Sequence, residues 1–215
     1  MKSPFNNLST LLPEVDYQSL MAQMPQVSHP RRKLKELQEK GLLIRLKKGF
    51  YILSKELIGK DYSPEIAANL IYGPSYLSLE YALSFYHLIP ERVEHFTSVT
   101  TQKNKRYATP LGHFTYQHLS TSLYPLGVTL KKTSEGRYFM IATQEKALMD
   151  IFTLKFKNSI RPQPKDIPIA LEEDLRIDLN EMKTQINKNL LQNMKPHYRG
   201  RRWNKLAIDF ILENL

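Results

Sequence analysis

The amino-acid sequence has no cysteine, which excludes disulfides, iron–sulfur clusters, cysteine-based zinc sites and thiol catalysis. It has only 8 glycines in 215 residues, and none of them forms the glycine-rich loop that holds phosphates in nucleotide-binding enzymes. Unbroken apolar runs end after about five residues, as in Tyr138–Ala142, whereas a membrane span needs about 18. The first residues also lack the apolar core of a secretory signal. We therefore expect a cytoplasmic protein without a membrane partner.

Positive charge is in excess, and it is unevenly distributed. The chain carries 31 Lys and Arg against 21 Asp and Glu, a net charge of +10. Residues 1–60 have a net charge of +6 (11 basic, 5 acidic) and residues 151–215 of +4 (12 basic, 8 acidic), whereas residues 61–150 are neutral. A basic surface attracts polyanions. The charge alone leaves nucleic acid, anionic lipid and an acidic protein open as partners.

The first part of the chain has the pattern of a small helical module. Apolar residues recur at helical spacing in two runs that each end at a proline: Phe5, Leu8, Leu11 and Leu12 before Pro13, and Tyr17, Leu20, Met21 and Met24 before Pro25. A third helix is predicted over Arg31–Lys40. Ser28 suits its N-cap, Pro30 its first turn and Gly41 the left-handed position after its end.

A β-hairpin is predicted after the third helix. Two runs of β-prone residues, Leu42–Leu46 and Phe50–Leu53, flank the turn Lys47–Gly49, which is typical of a tight hairpin. Three helices followed by a hairpin is the order of a winged helix-turn-helix, in which the third helix lies in the DNA major groove and the hairpin contacts the backbone. The sequence therefore predicts a winged helix-turn-helix DNA-binding domain over residues 1–58.

The third helix and the hairpin supply the predicted DNA contacts. Leu34 and Leu37 define the core face of the helix, and Arg32 and Lys35 fall near the opposite face. Arginine can bind guanine through two hydrogen bonds, whereas lysine more often contacts phosphate. The predicted contact residues are Ser28, His29, Arg31, Arg32 and Lys35 at the helix, and Arg45, Lys47 and Lys48 at the hairpin.

A solvated surface helix is the alternative interpretation of the same residues. Opposite charges stand four residues apart in the pairs Arg32–Glu36, Lys35–Glu39 and Glu36–Lys40. Such pairs stabilise any exposed helix, whether or not it binds DNA. The agreement of caps, element order, hairpin and charge favours DNA binding.

A polar segment, Ser54–Pro64, separates this module from a second domain, predicted over residues 62–215. Two helices are predicted first, the second of them with Ser78 as its N-cap. A strand and two hairpins follow between Val93 and Ile141, and Thr143 then caps another helix. The fold class is therefore predicted as α+β, with a small antiparallel sheet and C-terminal helices after the winged helix-turn-helix.

Several segments resemble the AbiEi antitoxins of bacterial type IV toxin–antitoxin and phage-defence systems. In chain order they are Gly41–Leu43, Lys48–Tyr51, Gly73–Leu83, Leu88–Glu91, Val99–Thr101 and Ile141–Asp150. The resemblance implies an N-terminal winged helix-turn-helix that represses the protein's own operon by binding double-stranded DNA, commonly at inverted repeats. It also implies a second domain that antagonises a nucleotidyltransferase-like toxin, with or without a stable complex.

A basic, partly aromatic stretch lies near the C-terminus, at Lys195–Trp203. Guanidinium groups beside aromatic rings can hold phosphate and stack on bases. Arg199, Arg201 and Arg202 are therefore candidates for auxiliary nucleic-acid contacts, a role that basic residues of the second domain have in the family that the chain resembles. The alternative is a basic loop between helices, with Trp203 packing inward.

Enzymatic interpretations find little support in the sequence. His113 and His118 fall on opposite faces of a strand, and Pro90 interrupts the helix between His87 and Glu91. We expect no metal, no cofactor and no catalytic activity. The predicted function is that of a transcriptional autorepressor and antitoxin. Two alternatives stay open, namely a nucleic-acid-processing enzyme whose winged helix positions the substrate, and a non-catalytic adaptor that binds a partner protein.

Overall fold

A computed structural model describes residues 8–25, 27–156 and 161–214. The N-terminal elements are a 3₁₀ turn (Leu8–Thr10), strand β1 (Glu14–Asp16), helices α1 (Tyr17–Ala22) and α2 (Pro30–Glu39), strands β2 (Leu43–Lys47) and β3 (Phe50–Leu53), and helix α3 (Lys55–Ile58). Within the described ranges, no helix combines the length and the apolar character that crossing a membrane requires.

The segment before α1 differs from the prediction. Instead of a helix it contains the 3₁₀ turn and then β1, and Phe5 lies outside the described residues. Strand β1 pairs antiparallel with β3, with Glu14 opposite Ile52, so the sheet order is β1-β3-β2. A three-residue strand is too short to show an alternating pattern, and its partner is distant in the sequence.

Helix α2 begins at Pro30 and has His29 as its N-cap, which corrects the assignment of the cap to Ser28. Proline disfavours helical dihedral angles in the residue before it. His29 accordingly lies outside the helix, with φ −128° and ψ 74°, and its side chain makes no capping hydrogen bond. Gly41, with φ +70°, takes the left-handed position after the helix, as predicted.

Strand β3 packs on both of its faces. Tyr51 and Leu53 join the N-terminal hydrophobic cluster, whereas Phe50 and Ile52 join the core of the second part of the chain. Successive side chains of a strand point to opposite sides of the sheet. The hairpin of β2 and β3 is therefore shared by the two hydrophobic cores.

The buried side chain of Glu14 connects the two parts of the chain. The Glu14 side chain has no exposed surface and forms an ion pair with Arg137. A Glu14 carboxylate oxygen accepts a hydrogen bond from the backbone N–H of Ser63 at 2.6 Å. Arg137 also donates to the carbonyl of Asp61 at 3.0 Å. The polar segment between the two predicted domains is thus held by residues of both, and it contains helix α3.

The second part of the chain combines a sheet with helices. Its elements up to the central helix are α4 (Pro64–Ile71), β4 (Ser75–Leu77), α5 (Leu79–Phe85), β5 (Phe96–Thr100), β6 (Lys105–Thr109), β7 (Gly112–His118), β8 (Val128–Lys132), β9 (Tyr138–Ala142) and α6 (Gln144–Leu154). The elements that follow are α7 (Asp166–Ile169), a π-helical turn (Ala170–Asp174), α8 (Leu179–Gln185), α9 (Lys188–Met194), a 3₁₀ turn (Lys195–Tyr198) and α10 (Arg202–Asn214). The α+β class is confirmed.

The sheet of the second part is a six-stranded mixed sheet, so the prediction of a small antiparallel sheet is wrong. Its strand order is β6-β7-β5-β4-β9-β8. The hairpins β6–β7 and β8–β9 are antiparallel, as predicted, but β5 runs parallel to β7 and β4 runs parallel to β9. Turn residues reveal hairpins, whereas a parallel pair joins strands that a turn cannot connect.

Helix α6 is the central helix of the second part. Thr143 caps it, as predicted, by accepting a hydrogen bond from the backbone N–H of Lys146 at 3.3 Å. Residues 145–153 are all buried, and the helix packs against α5 and α10. Any charged side chain in this stretch must find its partners inside the protein.

Candidate nucleic-acid interface

Helix α2 exposes its cations and buries its leucines. Arg31, Arg32 and Lys35 are exposed, while Leu34 and Leu37 pack into the N-terminal cluster. This is the division of faces that helical periodicity predicts. The outer face therefore presents three cations along the first half of the helix.

Two glutamates share this face with the cations. Arg32 Nε lies 3.3 Å from a Glu36 carboxylate oxygen, and Lys35 Nζ lies 3.7 Å from one of Glu39. Lys33 also pairs with Glu36, at 3.1 Å. The hydrogen bond from Lys33 is the main cause that holds the pKa of Glu36 below its ordinary value. The pairs of Arg32 and Lys35 are largely solvent-exposed and hence weak, so an approaching phosphate can compete for these two cations.

The N-terminal end of α2 is open to solvent. Ser28, His29 and Arg31 are all exposed, and Arg31 forms no ion pair with any residue that the structure describes. A helix N-terminus carries the positive end of the helix dipole and free backbone N–H groups. This end of α2 is therefore electrostatically suited to an anion.

The turn of the β2–β3 hairpin lies close to α1 and does not project freely. The backbone N–H of Tyr17 donates to the carbonyl of Gly49 at 2.9 Å, and Gly49 adopts φ +80°. Arg45 and Lys48 are exposed. Arg45 Nε also donates to the carbonyl of Lys47 at 3.4 Å. Two of the three hairpin cations thus remain available to a ligand in solution.

The third hairpin cation is placed differently from the prediction. Lys47 Nζ donates to the backbone carbonyl of Ile71, the last residue of α4. The side chain is half-buried, and burial lowers the pKa of its ammonium group. Lys47 connects the hairpin to the second part of the chain, because the turn is folded against that part. It is therefore removed from the set of residues assigned to phosphate contact.

The C-terminal arginines do not form one surface. Arg199 lines a cavity of about 390 Å³ with Lys195 and Lys205. Arg201 and Arg202 line a different cavity of about 310 Å³. Among the described residues, only Gly200 lines both cavities.

Trp203 packs inward, in agreement with the second interpretation of this stretch. Its ring is stacked on Phe152 with the centroids 6.0 Å apart and an interplanar angle of 15°. Its centroid also lies 4.8 Å from that of Phe156. The indole is therefore held by α6 and is not free to stack on bases as a surface residue would.

A fully buried ion pair lies at the centre of the second part. Lys146 Nζ is 2.7 Å from Asp150 Oδ1, and neither side chain has any exposed surface. The hydroxyls of Tyr76 and Ser78 donate to Asp150 Oδ2 at 3.0 and 2.8 Å. Lys146 also donates to the carbonyl of Leu123 at 2.8 Å. We call Tyr76, Ser78, Lys146 and Asp150 the buried polar cluster.

Burial dominates the electrostatics of the buried polar cluster. It raises the pKa of Asp150 and lowers the pKa of Lys146, and the attraction between the two charges opposes both shifts. Burial also raises the pKa of Tyr76. The cluster is closed to solvent, which suits it to holding β4, α5 and α6 together.

Sequence reasoning did not identify the buried polar cluster, although one signal for it exists. Lys146 and Asp150 stand four residues apart in a helix whose other residues are mostly apolar, and such a pair faces the same side. Ser78 does occupy the N-cap position of α5, as predicted. Its hydroxyl does not cap the helix, however, but donates to Asp150.

Apart from His29, the histidines are scattered over the second part. The rings of His95 and His113 lie 5.1 Å apart between centroids, and His118 Nδ1 lies 3.1 Å from the carbonyl of Gln102. In residues 8–25, 27–156 and 161–214, no three His, Asp or Glu side chains are grouped in a way that can hold a metal ion.

Comparison with known proteins does not assign the chain. No protein-family model matches it, and no curated protein shows significant similarity to it. The assignment of function therefore depends on the residues themselves and on their placement.

Proposed function

We propose that the chain is a DNA-binding transcriptional autorepressor and the antitoxin of a type IV toxin–antitoxin system. Residues 1–58 serve as a winged helix-turn-helix, with α2 as the recognition helix and the β2–β3 hairpin as the wing. The second part antagonises a nucleotidyltransferase-like toxin. Both activities take place in the cytoplasm and need no catalysis by this chain.

The arrangement of the N-terminal elements supports the DNA-binding half of the proposal. Helices α1 and α2 are followed directly by the β2–β3 hairpin, and β1 completes the sheet beside β3. In a helix-turn-helix the second helix of the motif enters the major groove, and its N-terminal residues contact base edges. Here that half of α2 is the exposed, cationic half.

The cationic face of α2 is the single observation that carries the proposal. Arg31, Arg32 and Lys35 are all exposed, and Arg32 and Lys35 lie near the side opposite the leucines that anchor the helix. Arginine reads guanine through two parallel hydrogen bonds. Arg45 and Lys48 of the hairpin add exposed charge for the phosphate backbone.

A binding titration tests the repressor half. The full chain is titrated by fluorescence anisotropy against a labelled duplex of its own upstream region and against a random duplex of equal length, at matched salt. We expect binding to the upstream region to be about 1,000-fold tighter or more, as is typical of specific recognition. Equal affinity for both duplexes would show that the protein is not a sequence-specific repressor.

The antitoxin half is supported by the segments that resemble AbiEi antitoxins. Gly73–Leu83 contains all of β4 and most of α5, and Ile141–Asp150 contains the end of β9 and most of α6. The buried polar cluster joins these two segments. The resemblance is thus greatest in the central packing unit of the second part.

Co-expression with the adjacent toxin tests the antitoxin half. The full chain is used, because the two parts share a core that truncation would expose. It carries alanine at Arg31, Arg32 and Lys35 and is expressed from an unrelated promoter. We expect this variant to restore growth as well as the unchanged chain does, since neutralisation is assigned to the second part. Loss of rescue at equal soluble expression would place neutralisation in α2 instead.

A further inference from the structure

A small cavity between α6 and α10 is lined by three arginines. Arg161, Arg201 and Arg202 all contribute to it, together with Phe152 and Trp203 as apolar walls. No Asp or Glu is among the described residues that line it. Its volume is about 310 Å³, at the lower end of the range for small-molecule sites.

Among the residues that the structure describes, the arginines of this cavity have no ion-pair partner. Arg202 Nε donates to the carbonyl of Pro162 at 2.7 Å, which fixes the side chain and leaves the two terminal nitrogens for a ligand. Arg161 and Arg202 are exposed and Arg201 is half-buried, so an anion from solution can approach these side chains, and their charges attract it.

The surroundings add further positive potential. The cavity lies at the first residues of the 13-residue helix α10, whose N-terminus carries the positive end of the helix dipole.

We propose that the cavity lined by Arg161, Arg201 and Arg202 binds the phosphate group of a small molecule. Arginine matches phosphate geometry with pairs of parallel hydrogen bonds. The small volume favours inorganic phosphate or a mononucleotide over the backbone of a duplex. The site shares no residue with α2 or with the β2–β3 hairpin, so it can be tested separately from the DNA contacts proposed there.

Trp203 supplies a direct readout of this site. It is the single tryptophan of the chain, and it lines the cavity, so the intrinsic tryptophan fluorescence of the full chain reports what happens there. Titration with inorganic phosphate at constant ionic strength is expected to give a saturable change. Potassium chloride is expected to give none. Equal responses to both salts would overturn the proposal.

Variants of single charges distinguish the site from a general attraction of anions. Arg202→Gln is expected to weaken phosphate binding about 10-fold or more, because it removes charge-assisted hydrogen bonds. Arg161→Gln tests the same site without touching the bond to Pro162. Lys205→Gln removes one exposed charge from the same helix outside this cavity. This variant is expected to bind phosphate with unchanged affinity. Identical affinities in all three variants would exclude the site.

The source of the phosphate is decided by comparing ligands. Tighter binding of adenosine triphosphate or pyrophosphate than of inorganic phosphate would identify a polyphosphate ligand, and similar binding would identify the free anion. Either result supports a phosphate site. Binding of adenosine as tight as that of its triphosphate would contradict it, as would a fluorescence change with a short duplex but none with small phosphates.

Discussion

Replacing Asp150 by alanine is expected to lower the free energy of unfolding by about 3–5 kcal/mol, because the Lys146 ammonium is left buried without its counter-charge. Neither side chain has exposed surface, so bulk water does not solvate the Lys146 ammonium. The hydroxyls of Tyr76 and Ser78 lose their acceptor at the same time. Urea denaturation of the full chain, followed by far-ultraviolet circular dichroism, measures the loss.

An exposed ion pair provides the matched control for Asp150. Arg176 and Glu91 lie 2.7 Å apart at the surface, and Glu91→Ala is expected to change the free energy of unfolding by less than about 1 kcal/mol. The double change Lys146→Met with Asp150→Leu is expected to recover part of the loss, since it leaves no buried charge. A loss of stability no larger for Asp150→Ala than for Glu91→Ala would refute the structural role of the buried pair.

Replacing Arg31 and Arg32 together by glutamine is expected to weaken binding to the operator by roughly 100-fold or more, since each bidentate contact to a base is worth about 1–3 kcal/mol. Binding to a random duplex should fall much less, so the sequence preference is relaxed. Both side chains are exposed, so the fold should tolerate the change. Anisotropy titrations with both duplexes give the ratio directly.

The hairpin and the far end of α2 provide the comparisons for this experiment. Arg45→Gln and Lys48→Gln should weaken both duplexes alike and reduce the dependence of affinity on salt by about one counterion each. Lys40→Gln removes one exposed charge at the C-terminal end of α2 and should have little effect on the preference. If the arginine variant and the Lys40 variant behave alike, α2 is not the recognition helix.

The N-terminal elements of residues 1–58 are attached to the second part of the chain by several contacts. Phe50 and Ile52 of the hairpin are buried in the core of the second part, and Lys47 is bonded to α4. The Glu14–Arg137 ion pair adds a third connection. These contacts hold the hairpin against the second part, so the protein would approach DNA as one body.

Local elements followed from the sequence where a few neighbouring residues decide the outcome. Pro30 and Gly41 bound α2, because a proline suits the first turn of a helix and a glycine suits the left-handed residue after it. Thr143 caps α6 with its own side chain. The antiparallel hairpins were likewise predicted from their turns, since strand and turn are adjacent in the chain.

Caps and turns in the sequence do not predict contacts between distant segments. Strand β1 forms only because β3 offers it a partner, and β4 lies between two strands that the chain reaches much later. The side of the hairpin on which Lys47 lies depends on a bulge between Arg45 and Lys47 and on the neighbouring α4. The hydrophobic periodicity of the segments involved predicts none of these features.

The sequence by itself determined the basic ends of this protein, the division of α2 into a leucine face and a cationic face, and the α+β class. The tertiary structure alone decided which charged side chains are exposed to solvent and which form buried pairs, as Lys146 and Asp150 do. It also decided which arginines line the same cavity. The physical reason is that periodicity and capping act over a few residues. Burial and charge pairing depend instead on segments that meet only when the chain has folded.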